Sequence, residues 1–157
     1  MRIAIDPRVR ADHGLLRSVV WDGFEGVETA GVEVRLEPAG TPSRSFAGRA
    51  YASVPRFARA GPDVRYLVRL FVPTCPRDRG YPRTYRYRRL RTAPWITVGN
   101  WREALVALSA HEACHVRQFR DTLPRSEVEA ERWSKRVLTS WASTPQALPV
   151  QLALALR

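Results

Sequence analysis

Residues 111 to 115 read His-Glu-Ala-Cys-His, inside a stretch from Trp101 to Phe119 that holds neither glycine nor proline. Ala104, Leu108, His111, His115 and Phe119 fall on one stripe at helical spacing, and Leu105, Glu112 and Val116 form the stripe beside it. A long helix accounts for that pattern, and so much apolar surface makes it a central helix packed on several sides. On such a helix the two histidines lie one turn apart and point the same way, with Glu112 about 100° round the axis beside them. Polar side chains that interrupt an apolar face cost free energy unless partnered. A metal ion is the partner that two imidazoles in this register suit. The chain has three histidines, and two of them sit in this string.

The flanks predict where this helix starts and where the next one begins. Asn100-Trp101-Arg102-Glu103 reads as a capping box, with Asn100 accepting from the Glu103 amide while the Glu103 side chain reaches back. After Phe119, Arg120 to Arg125 reads as a turn with a proline stop, and Ser126-Glu127-Val128-Glu129 opens a second helix with a second capping box. Glu127 and Glu131 are four apart and share one face of that helix.

A helical HExxH string with an acidic helix after it resembles the zincin metallopeptidases. The stretch Glu127 to Glu131 is similar to the ExxxD or ExExAN element of their gluzincin branch, with Glu131 where Asp or Asn is usual. The resemblance implies one Zn2+ per chain held by His111, His115 and Glu127, with the Glu131 carboxylate fixing a histidine tautomer. It further implies that Glu112 is the general base on a zinc-activated water, in hydrolysis of peptide bonds of a protein or peptide substrate. Glu129 and Glu131 stay open as third ligands. So does Asp121, which stands six residues after His115 at the metzincin third-ligand position, although those enzymes carry glycine where this chain has Gln118. Zincins also use an oxyanion donor. Tyr81, Tyr85, Tyr87, His13 and several arginines are available for it. Cys114 is turned away from the histidine pair by its helical position and reads as a core residue.

The rest of the chain reads as α/β (α+β). Strands are expected over Arg2 to Ile5, Val32 to Leu36, Ser45 to Val54, Tyr66 to Val72 and Trp95 to Val98, with an early helix from Asp12 to Phe24. The resemblance adds the architecture: a small mixed sheet of four to five strands on the HExxH helix, then the helix carrying the third ligand. Within it, the segment from Thr84 to Val98 is expected at the cleft edge of the sheet. The apolar tail from Ala147 to Leu156 is expected to close the core as a helix or strand. The 157 residues fit one domain, 1–157. Two cysteines far apart in sequence give no disulfide framework. No run approaches the roughly 18 apolar residues that a membrane span needs, and the N-terminus lacks the apolar core of a signal peptide. A cytoplasmic protein is the expectation.

Charge is the second constraint. Net charge is +11, and of 26 basic residues only Lys135 is a lysine. Between Arg77 and Arg91 seven arginines and three tyrosines face one acid, Asp78. Arginine interleaved with tyrosine suits an acidic partner or substrate, or nucleic acid, with Arg86, Arg88 and Arg89 as contacts. A basic nucleic-acid-associated protein and a non-catalytic regulator on a zincin scaffold are therefore the alternatives to a peptidase.

Overall fold

The structure, a computed structural model, describes residues 1–40, 46–56, 58–86 and 91–144. It is a mixed α/β fold with a four-stranded mixed sheet and, among the described residues, three helices. In chain order these are β1 (Arg2–Ile5), α1 (His13–Gly23), β2 (Val32–Pro38), β3 (Ala47–Tyr51), β4 (Tyr66–Val72), β5 (Arg83–Tyr85), β6 (Ile96–Val98), α2 (Trp101–Arg120) and α3 (Glu127–Ser143).

The main sheet runs β1-β2-β4-β3. β1 and β2 pair in parallel with Ile3 opposite Val34, and β2 and β4 pair in parallel with Val34 opposite Val68. β3 closes that side antiparallel, with Ala50 opposite Val68. Alternation decides which face is buried. Val32, Val34 and Leu36 of β2 and Val68, Leu70 and Val72 of β4 join a core with Leu16, Val19 and Val20 of α1 and Leu105, Val106, Ala110, Ala113 and Val116 of α2. The intervening positions of β2 carry charge, and so does Arg69 of β4. Arg35 donates to Glu33 at 2.6 Å, and Arg69 makes a two-pronged pair with Glu37 across the strands. One face of the sheet is therefore apolar and helix-covered, and the other is laced with ion pairs.

α2 is the central element, touching α1, α3, β3, β4 and β6. Where α1 meets it the side chain disappears: a Cβ on Gly23 would lie 2.3 Å from the Ser109 Cβ and 3.0 Å from the Val106 carbonyl. Asn100 caps α2 by accepting from the Glu103 amide at 3.0 Å. The Glu103 carboxylate reaches the Gly99 amide (2.6 Å) and the Asn100 side chain (2.8 Å), one residue further back than a reciprocal capping box requires. α2 runs on to Arg120, and the Thr122 and Leu123 amides then return to the Phe119 and Gln118 carbonyls at 3.3 and 2.8 Å. That is a Schellman ending, and it puts Thr122 at φ 55°, where glycine is usual. Ser126 then caps α3 by accepting from the Glu129 amide at 3.3 Å.

Two expectations need correction. The segment from Thr84 to Val98 is not the edge of the main sheet: β5 and β6 form their own antiparallel pair, Thr84 opposite Thr97. With two short strands and a proline-rich approach, this hairpin folds beside the sheet, and the sheet edge nearest α2 belongs to β3. The expected strand from Ser45 to Val54 is shorter, Ala47–Tyr51, and Ser45 lies outside the described residues. The expected closing element at 147–156 also lies outside them. No helix of the described residues is long and apolar enough to cross a membrane.

Candidate metal centre

The helical period brings His111 and His115 together on α2, and the start of α3 brings Glu127 to them. His111 Nε2 lies 3.2 Å from His115 Nε2 and 3.2 Å from Glu127 Oε2, and His115 Nε2 lies 3.4 Å from the same carboxylate oxygen. His115 is fully buried; His111 and Glu127 are partly so. The three could hold one metal ion.

The far side of each ring explains why those atoms converge. His115 Nδ1 is 2.9 Å from Gln118 Oε1, and His111 Nδ1 is 3.3 Å from Glu131 Oε1. Both partners accept, so each Nδ1 carries a proton, and in the neutral rings each Nε2 presents a lone pair. Two lone pairs and a carboxylate oxygen then point at one spot. Zinc fits the spacing: bonds of about 2.0–2.1 Å in a tetrahedron set ligand atoms about 3.3–3.4 Å apart. The second oxygen of Glu127 is held by Arg125 at 2.9 Å, which leaves Oε2 for the ion.

The local charges are consistent with such a cradle. Burial would lower the His111 pKa, but the Glu131 hydrogen bond and the charges of Glu112, Glu131 and Glu127 outweigh it and raise the value. His115 moves the other way, lowered first by burial. Burial would raise Glu127, yet His115, Arg125 and His111 pull it below the ordinary carboxylate range.

Glu112 does not join this cluster. It is 3% exposed and lies under β3, against Gly48, where an added Cβ would stand 2.6 Å from Oε1. The Ala50 backbone hydrogen-bonds the carboxylate, while Oε2 is buried with no hydrogen-bond partner. Burial pushes its pKa up to about 7, against the pull of His111 and Ala50. With His111 and Glu131 it borders a cavity of about 790 Å3, roofed by the hairpin residues Tyr81, Arg83, Tyr85 and Arg86. A buried acid with one idle oxygen beside a histidine pair is equipped to accept and return a proton near neutral pH.

The other expected residues are scattered around this centre. Glu129 is turned elsewhere, its two oxygens taken by Arg117 (3.4 Å) and Gln118 (3.1 Å). Asp121 caps the exposed end of α2, 3.8 Å from Arg117. Neither is brought to the histidines. Arg86 stacks over Trp95 at 4.7 Å on the cavity wall, while Arg88, Arg89 and Tyr87 lie outside the described residues. His13 is engaged with the Val9 carbonyl at 3.1 Å and does not line the cavity. Tyr81 and Tyr85 do line it, and the Tyr85 hydroxyl stays protonated, its pKa raised by burial and by Glu131 and Tyr81. Cys114 is buried and free, and burial raises its thiol pKa to about 11; Cys75 is free and exposed.

Two contributors escaped the sequence reading. Gln118 stood out only as a missing glycine, although a residue three after His115 is its neighbour on the helix surface. Gly48 had a signal too, since glycine inside a strand marks a close approach. No family model matches the chain, and searches of curated proteins and of solved structures return no match.

Proposed function

We propose that this chain is a zinc-dependent metallopeptidase of gluzincin-like design, with His111, His115 and Glu127 holding the metal and Glu112 acting as general base. The observation that carries the reading is the convergence of two imidazole nitrogens and a carboxylate oxygen 3.2–3.4 Å apart, with the far nitrogen of each ring turned to an acceptor. A bound zinc would supply Lewis acidity and lower the pKa of water at its open position. The chain's own residues do the rest. Glu131 and Gln118 hold the ring tautomers, and Arg125 keeps Glu127 one-pronged. Glu112, poised near neutrality, takes a proton from water and hands it to the leaving amine. Tyr81 and Tyr85 line the same cavity, and of these two hydroxyls we assign Tyr85 to meet negative charge developing on a scissile carbonyl. Arg83 and Arg86 on the cavity wall favour a protein or peptide substrate with acidic groups near the cut.

Metal analysis of the purified protein tests the reading directly. One zinc per chain is expected, lost in His111→Ala and Glu127→Ala. Glu112→Gln should keep the zinc and abolish cleavage of a peptide library, which separates an enzyme from a non-catalytic scaffold. A folded protein that takes up no zinc defeats the proposal.

A further inference from the structure

The Gln118 side chain is completely buried and makes four hydrogen bonds. Its Oε1 faces His115 Nδ1 at 2.9 Å and accepts from the Ser126 amide at 3.2 Å. Its Nε2 donates to the Ser126 carbonyl at 3.3 Å and to Glu129 Oε2 at 3.1 Å. Those neighbours leave the amide one orientation. Turned over, its NH2 would face the Ser126 N–H, and its oxygen would face a carbonyl and a carboxylate. The Oε1 therefore points at His115 by necessity, and the His115 proton sits on Nδ1.

The same contacts replace half of a capping box. In the reciprocal motif the N3 glutamate would satisfy the Ser126 amide. Here Gln118 accepts from that amide, and Glu129 is drawn to the Gln118 NH2 instead. α3 is thus pinned at its N-cap by a residue one turn beyond His115 on α2, one position before Glu127. We propose that Gln118 is the positioning residue of the centre, fixing through one amide both the ring tautomer of His115 and the place of Glu127. Its effect on zinc rests on the metallopeptidase reading; its effect on the His115 tautomer does not.

The test begins without metal. Long-range 15N–1H NMR of the metal-free protein should show His115 as the Nδ1–H tautomer, whereas free neutral imidazole favours Nε2–H. Gln118→Leu should lose that preference and bind zinc on the order of 10- to 100-fold more weakly in competition with a chelator. Gln118→Glu should also weaken zinc, because a carboxylate cannot donate to Glu129 or the Ser126 carbonyl. Adding Glu129→Gln restores a donor at the first contact and should recover most of the affinity and the wild-type Co2+ absorption spectrum. A purely space-filling Gln118 would not be rescued that way. An Nε2–H tautomer in the wild-type protein overturns the proposal even if Gln118→Leu does not fold, as does unchanged zinc affinity in a folded Gln118→Leu. If wild-type protein took no zinc yet showed the Nδ1–H tautomer, the positioning of His115 would stand and the enzyme reading would fall.

Discussion

Replacing Glu112 by glutamine should make the metal-free protein more stable at alkaline pH, because that carboxylate is costly to charge where it lies. Its pKa rises from 4.5 to about 7 on folding, through burial. A group whose folded pKa is raised contributes stability that is fully present below its unfolded pKa, near 4.5, and is lost as pH rises through about 7. At about 1.4 kcal/mol per tenfold change in proton affinity, the displacement is worth roughly 3 kcal/mol across that window. Glutamine keeps an oxygen for the Ala50 backbone and carries no charge at any pH. Urea unfolding of wild type and Glu112→Gln, both in excess chelator, at pH 4.5 and pH 8 isolates the effect, since the other titrating groups are common to both. The variant should gain roughly 2–3 kcal/mol on wild type between the two conditions, or about 4–12 °C in Tm at pH 8. A difference between the two proteins that stays constant with pH would refute the account of Glu112 as a buried, reluctant anion.

Gly48→Ala should leave zinc content intact and lower kcat by about 100-fold in a peptide-cleavage assay, because the new Cβ must push the Glu112 carboxylate aside. Thr122→Gly should raise stability by about 1 kcal/mol, read as a higher midpoint in urea, since a β-branched residue at φ 55° is strained where glycine is not. Tyr85→Phe should reduce kcat by roughly 100-fold with little change in KM if its hydroxyl meets the transition state, and a raised KM with kcat unchanged would place it in substrate binding instead.

The helices were legible because their signals are local. Asn100, Ser126 and the 3.6-residue stripe of α2 lie within a few residues of what they determine, and β4 showed itself through an apolar run broken only by Arg69. The acids around the histidines were harder. Glu127, Glu129 and Glu131 lie close together at the start of one helix, and their different directions depend on contacts with Arg125 just before it and with His111, Arg117 and Gln118 of α2. The edge strand was misplaced for a related reason. Nothing in Ala47–Tyr51 advertises that it pairs with β4, whereas the Tyr- and Thr-rich hairpin looks more like a strand and pairs only with itself. Long-range pairing is set by the whole core, so a short strand with three small residues gives little warning of it.

Cys114 sits within the histidine string itself, yet its sulfur is sealed in the core and its thiol holds its proton to about pH 11. Thiolates, not thiols, react with peroxide and with electrophiles. Mild oxidation of this protein should therefore mark Cys75 on the surface and spare the sulfur next to the histidines. A metal held as proposed, by nitrogen and oxygen donors alone, would keep its ligands in a redox climate that would strip a cysteine-bound ion.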